Sequence, residues 1–172
     1  MDEREWAPRL TLSVPIVARD DLHIAAQPPT GATLLSGDID AAIAALAPSA
    51  PCIGLGGMTG EPPYLLVIAR DRGCLITPAP LEAETAWNRQ GFALTPADDA
   101  WVFFVVSGTG AEAVIAEGCA ADLAAGSPSA ATLFAGHPAL LVRNPKGFVL
   151  GVSAPEAESV ARWLLAAATD AE

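Results

Sequence analysis

Short runs of apolar residues, separated by turns rich in Gly, Pro and Asp, make up most of the chain. A run of about four to eight apolar residues between such turns is typical of a β-strand. The first two predicted strands form a strand pair or an extended arm, and the fifth and sixth form a hairpin closed by Gly73, since glycine permits positive φ. The predicted strands cover residues 11–17, 22–27, 33–35, 52–55, 64–69, 74–77, 92–95, 101–106, 132–135, 139–143 and 148–152.

Four other segments have apolar residues at the spacing of a helix. Asp38 and Thr109 stand where N-caps of the first and third helices are expected, because their side-chain oxygens accept backbone N–H bonds. Pro155 suits the first turn of the last helix, where a missing N–H costs nothing. The predicted helices cover residues 39–46, 81–89, 111–117 and 156–168.

The order strand–helix–strand–strand–strand–helix occurs twice along the chain. Leu34-Leu35-Ser36-Gly37 aligns with Val105-Val106-Ser107-Gly108, and Glu82-Ala83-Glu84 aligns with Glu156-Ala157-Glu158. Repeats of this size cannot bury their sheets alone, so the halves should pack as one unit. The pattern therefore predicts an α+β fold of internally duplicated β-α-β-β-β-α halves, residues 32–90 and 91–168. An N-terminal arm, residues 1–31, precedes them in one compact domain, residues 1–172.

Composition narrows the class of protein. The 172 residues are 52% hydrophobic and 17% charged, which excludes a disordered chain. The net charge is −11, and Lys146 is the sole lysine, so neither nucleic acid nor an anionic membrane surface is an expected partner. Gly and Pro interrupt the two long uncharged stretches, residues 41–60 and 123–142, so neither should span a membrane.

The N-terminus and the cysteines indicate the compartment. The first residues are acidic and lack the apolar run of a secretory signal. The three cysteines, Cys52, Cys74 and Cys119, are an odd, widely spaced set, which favours buried thiols in a reducing cytoplasm. We therefore expect a soluble cytoplasmic protein.

Motifs that suggest catalysis or cofactor binding lack essential parts. The glycine-rich segment at residues 54–60 is followed by Glu61-Pro62-Pro63 instead of a helix, so we predict a flexible loop there and no dinucleotide site. Ser107 follows a strand as a nucleophile elbow would, but position 105 is valine where the elbow needs glycine. The alternative for this turn is an anion bound at the helix N-terminus.

Ionisable residues also show no pattern typical of a site. His23 and His137 are far apart and lack a second metal ligand at helical or turn spacing. The acidic pairs at residues 20–21, 98–99 and 82/84 lie in polar segments and are predicted to be solvated.

Three residues remain as candidates for a partner or ligand contact. Asp122 either closes a turn or contacts a partner or ligand, and Arg143 is predicted to be a solvated or salt-bridged strand end. Trp6, in a charged segment, is the best candidate for a partner contact. We predict that the other tryptophans, Trp87, Trp101 and Trp163, lie mostly in the core.

The C-terminal half resembles the gamma subunit of heterotetrameric sarcosine oxidase. The resemblance rests on Gly91-Phe92, Asp99-Ala100-Trp101, Val106-Ser107-Gly108, Gly118-Cys119-Ala120-Ala121-Asp122-Leu123 and the tail from Phe148 to Leu164. Within these matches, Gly118, Cys119, Asp122 and Leu123 form the most specific motif.

The resemblance implies a fold related to the folate-binding domain of the glycine-cleavage T protein, itself an internal duplication. It also implies a structural subunit that is not an enzyme on its own and carries no flavin and no catalytic residues. That no metal is bound is expected from the residues themselves. Such a subunit packs against flavoprotein alpha and beta subunits in a complex that oxidises sarcosine to glycine. Two alternatives stay open: a free-standing folate or one-carbon-binding protein, which would hold tetrahydrofolate, and a homo-oligomer of unknown role.

Overall fold

The computed structural model describes residues 12, 15–27, 30–83 and 85–170. Its three α-helices are α1 (Ile39–Leu46), α2 (Ala111–Gly118) and α3 (Ala157–Asp170), and a 3₁₀ turn (Ala154–Glu156) precedes α3. The strands are β1 (Val17–Ala18), β2 (His23–Ala26), β3 (Gly31–Gly37), β4 (Cys52–Ile53), β5 (Tyr64–Ala69), β6 (Arg72–Thr77), β7 (Ala86–Trp87), β8 (Phe92–Pro96), β9 (Trp101–Ser107), β10 (Ala131–Phe134), β11 (His137–Asn144) and β12 (Gly147–Ser153). The predicted α+β class is confirmed.

Two six-stranded sheets of matching strand order form the centre of the molecule. Sheet A has the order β1-β2-β9-β12-β11-β10, and sheet B has the order β7-β8-β3-β6-β5-β4. The β1–β2 hairpin precedes β3 in the chain yet pairs with β9, and the β7–β8 hairpin precedes β9 yet pairs with β3. The β1–β2 hairpin therefore completes sheet A and the β7–β8 hairpin completes sheet B, which ties the two sheets together. One pairing differs, because β4 is parallel to β5 whereas β10 is antiparallel to β11.

The molecule has four layers, since alternate residues of each strand point to opposite faces. In β11, Leu141 packs with α2 and α3 in one cluster, whereas Leu140 and Val142 belong to the cluster between the two sheets. The outer face of sheet B, including Leu35 and Leu75, packs on α1. Both faces of both sheets therefore contribute to the core, which accounts for the apolar strands.

The first helix has its predicted bounds and cap, whereas the second begins at its predicted residue, Ala111, but has a different cap. The Asp38 carboxylate accepts the Ala41 N–H at 2.9 Å, which confirms the N-cap of α1. Thr109, by contrast, does not cap α2, whose N-cap is Gly110 without a side-chain hydrogen bond. The Gly110 N–H instead donates to the carbonyl oxygen of Asp21 at 3.0 Å. The turn before α2 is thus held by the β1–β2 turn.

The helix predicted over residues 81–89 is wrong. Ala86 and Trp87 form β7, which pairs with Leu94 and Ala93 of β8. The turn between the strands is closed by the Asn88 side chain, which accepts the Gln90 N–H at 2.8 Å. Pairing with a strand that follows the turn has overridden the local helical spacing.

Trp87 is also not in the core as predicted, because 68% of its surface is exposed. Trp101 and Trp163 are half-buried and pack against the core clusters.

The glycine-rich loop predicted to be flexible is held against a second loop. Leu55 donates its N–H to the Ser129 carbonyl and accepts from the Ser127 N–H, both at 3.0 Å. A Cβ atom on Gly54 would lie 2.1 Å from the Ser127 carbonyl oxygen. Glycine is therefore required here because two backbones pass too close for a side chain.

Candidate functional site

The motif residue Gly118 ends α2 beneath two aromatic rings. The rings of Phe134 and Trp163 meet edge to face with centroids 5.0 Å apart. A Cβ atom on Gly118 would lie 2.5 Å from two Phe134 ring carbons and 2.9 Å from a Trp163 ring carbon. The missing side chain is thus what allows this aromatic pair to pack on the helix end.

The next motif residues also have roles within the fold. Cys119 is buried, with its sulfur 3.4 Å from the Thr132 hydroxyl, and Leu123 is half-buried against the core. The exposed Asp122 carboxylate accepts the Ala124 and Ala125 N–H groups at 2.9 and 3.1 Å. Asp122 therefore closes a turn, which is one of the two roles expected for it.

Arg143 is a salt-bridged strand end, in agreement with the prediction. Its guanidinium lies 3.2 Å from the Glu112 carboxylate on α2 and 4.6 Å from the Phe148 ring centroid. Its backbone accepts the Thr59 N–H and donates to the Gly57 carbonyl. Arg143 thus joins sheet A, α2 and the glycine-rich loop. Trp6, the remaining candidate, lies outside the described residues.

A cavity of about 570 Å³ opens at the seam between the sheets. Its walls are mainly apolar and include the Trp101 and Phe103 rings, which stack with centroids 6.4 Å apart. Asp98 and Asp99 supply carboxylates, and Gln27 supplies an amide. An apolar cavity with a few polar groups is the usual form of a small-molecule site.

Asp98 departs from the prediction that the acidic pairs are simply solvated. One of its carboxylate oxygens accepts the Ala32 N–H of β3 at 2.8 Å, and the residue is half-buried. Because Ala32 lies far away in the sequence, no local signal distinguished Asp98 from the other acidic residues.

A second cavity, of about 370 Å³, shares Gln27 with the first. Polar residues contribute more of its wall, among them Tyr64, Glu61 and the sole lysine, Lys146. Burial, with smaller contributions from Cys74 and Glu61, raises the pKa of Tyr64 to about 12. Tyr64 therefore remains a neutral hydrogen-bonding group at neutral pH.

Two of the three thiols are buried as predicted, and Cys52 is exposed, which contradicts that prediction. Burial, followed by the charge of Asp98, raises the pKa of Cys74 to about 12. Burial and then Asp40 raise the pKa of Cys52 as well. A thiol with a raised pKa is a weak nucleophile near neutrality, because the thiolate is the reactive form.

Two negative findings apply to the described ranges. Within them, no group of three or more His, Cys, Asp or Glu is arranged to hold a metal ion. No helix in the same part of the chain is long and apolar enough to cross a membrane.

Comparison with known proteins identifies the fold. No protein-family model and no curated protein matches the chain. Among solved structures, a chain of heterotetrameric sarcosine oxidase from Corynebacterium sp. U-96, in complex with pyrrole 2-carboxylate, matches with a TM-score of 0.69. The match covers 90% of this chain and 87% of that chain at 20% identity. This chain has a sarcosine oxidase subunit fold. The predicted resemblance to sarcosine oxidase is thereby confirmed at the level of the fold.

Proposed function

We propose that the chain is a non-catalytic, gamma-type subunit of a sarcosine-oxidase-like complex in the cytoplasm. Its partners would be flavoprotein alpha and beta subunits, and the complex would demethylate sarcosine to glycine. The observation that carries the proposal is the fold match, which extends over nearly all of both chains.

The roles of the motif residues support a structural subunit. Gly118 makes room for an aromatic pair, Cys119 is buried, Asp122 closes a turn and Leu123 packs half-buried against the core. Each of these features stabilises the fold of the chain and involves no substrate. We infer that the motif maintains the shape of the subunit, and thereby the surfaces that its partners bind.

Exposed apolar side chains at the sheet edges support binding to partners. Trp87 on β7, at an edge of sheet B, is 68% exposed, and Leu133 on β10, at an edge of sheet A, is 60% exposed. Tryptophan is common among the residues that dominate binding between proteins. We propose that the alpha and beta subunits cover these edges.

Co-expression with candidate alpha and beta chains tests the proposal. The expected result is one complex on size-exclusion chromatography that oxidises sarcosine, with the alpha and beta chains supplying the flavin chemistry. The W87A variant should weaken assembly at least tenfold, whereas R89A, an exposed polar position in the same hairpin, should not. Sarcosine turnover by the purified chain alone, or failure to assemble with any such partners, would refute it.

Tetrahydrofolate binding by a free-standing chain is the second candidate function. The observation that favours it is the cavity at the seam, where Asp98 and Trp101 offer a carboxylate and a ring face to a flat heteroaromatic ligand. A thermal shift of the chain alone with tetrahydrofolate, abolished in D98N, would support this function. Homo-oligomers without a shift would favour the third alternative.

We also propose that the two sheets arose by internal duplication, as in the folate-binding domain of the glycine-cleavage T protein. Their matching strand order and the reciprocal exchange of hairpins support this origin. The first half lacks a counterpart of α3 among its described residues, because β7 and its turn occupy that part of the chain.

A further inference from the structure

A serine, a histidine and a glutamate from separate elements meet at one end of sheet A. His137 begins β11, Glu156 ends the 3₁₀ turn, and Ser159 lies in the first turn of α3. The His137 Nδ1 atom lies 2.7 Å from the Glu156 carboxylate, and its Nε2 atom lies 3.2 Å from the Ser159 hydroxyl. The order carboxylate, imidazole, hydroxyl is that of a serine nucleophile with its base.

The carboxylate determines how the protons are placed. An ionised carboxylate only accepts hydrogen bonds, so in the neutral ring Nδ1 carries the proton and donates it to Glu156. The Nε2 atom then has a free lone pair, and the Ser159 hydroxyl donates to it. This tautomer is the one that can take a proton from the serine.

The fold holds the three side chains in place from both sides. The His137 backbone pairs with Phe134 across a turn in which Gly136 has φ +83°. The 3₁₀ turn is held by the Ala154 N–H, which donates to the Ala100 carbonyl at 2.9 Å. The neighbour of Ser159 in α3, Val160, is fully buried. The serine is thus fixed through its helix while its own side chain stays exposed.

The site is open to small molecules. The His137 and Glu156 side chains are 27% and 41% exposed, and the two cavities at the seam are lined by other residues. A site on the open surface makes few contacts with a substrate and binds it weakly, so the substrate itself must be reactive. Small esters with a good leaving group meet this requirement.

We propose that Ser159 is an activated nucleophile that accepts the acyl group of such esters. The Ser159 oxygen attacks the carbonyl carbon while His137 Nε2 takes the hydroxyl proton. The bond to the leaving oxygen then breaks, and that oxygen takes the proton from the ring, which leaves the acyl group on Ser159. Glu156 is a positioning residue that acts through His137. This activity goes beyond the proposed subunit role and is independent of it.

The test is acetylation of the full chain by p-nitrophenyl acetate, with peptide mapping by mass spectrometry. We expect Ser159 to be acetylated far faster than Ser107, whose hydroxyl meets a backbone carbonyl, at 3.4 Å, instead of an imidazole. Mapping also separates the serine ester from acetylation of Lys146. Equal labelling of the two serines, or none at Ser159, would overturn the proposal.

Two variants show whether His137 and Glu156 activate Ser159 or only stabilise the fold. H137Q should slow acetylation of Ser159 by about 100-fold or more, the usual contribution of a general base. E156Q should slow acetylation of Ser159 at every pH tested, because the reactive tautomer of His137 is no longer favoured. Thermal unfolding of each variant shows whether the fold persists. A folded H137Q variant with the wild-type acetylation rate would refute the assignment.

Discussion

Replacing Gly118 by alanine tests the packing on which the motif depends. The added methyl group would lie 2.5 Å from ring carbons of Phe134 and 2.9 Å from one of Trp163. Ordinary carbon–carbon contacts are about 3.5–4.0 Å, so the rings must move by about 1 Å. Phe134 is fully buried, which leaves it little room to move.

The expected cost follows from two opposing effects. Overpacking a core costs about 1–3 kcal/mol, while alanine in place of glycine near a helix end recovers up to about 1 kcal/mol. The free energy of unfolding should therefore fall by about 1–2 kcal/mol. For a chain of this length, that corresponds to a Tm lower by about 2–8 °C.

The assay is urea unfolding of the purified variant, with G60A as the matched control. A Cβ atom on Gly60 would have no atom within 4 Å, so G60A should be neutral or slightly stabilising. A second variant, F134L, makes room for the methyl group, so G118A/F134L should cost less than the sum of the single changes. Unchanged stability of G118A, or strictly additive costs, would refute the reasoning.

Three further outcomes follow from the same geometry. In the folded chain, the pKa values of Cys74 and Tyr64 are raised to about 12, so both groups stay protonated above pH 9–10. The same groups lose their protons there in the unfolded chain, so the free energy of unfolding should fall as pH rises from about 9 to 12. Urea unfolding at several pH values should show this slope, and C74A should flatten it. G54A should lower the free energy of unfolding by about 3 kcal/mol, because its methyl group meets backbone. R143M should cost less than about 1 kcal/mol in the same assay, since its ion pair with Glu112 is partly exposed.

Local sequence was sufficient for most of the secondary structure. Short apolar runs between turns predicted the strands from β5 to β12 except β7, and Asp38 marked the start of α1. These features depend on neighbouring residues alone: a continuous apolar run, a cap three residues from its donor, and glycines in turns. The resemblance in the C-terminal half then led to the fold that the comparison confirmed.

Long-range pairing accounts for what the sequence could not predict. β7 forms because β8 lies beside it, and Gly54 is required because the backbone of residues 127–128 crosses over it. Asp98 accepts a hydrogen bond from Ala32, and Ser159 on α3 meets its base, His137, on strand β11. Each of these contacts joins residues that only folding brings together. Local propensity contains no information on such distances, so the exchange of hairpins emerges only from long-range strand pairing, and the serine–histidine–glutamate cluster only from the packing of α3 on sheet A.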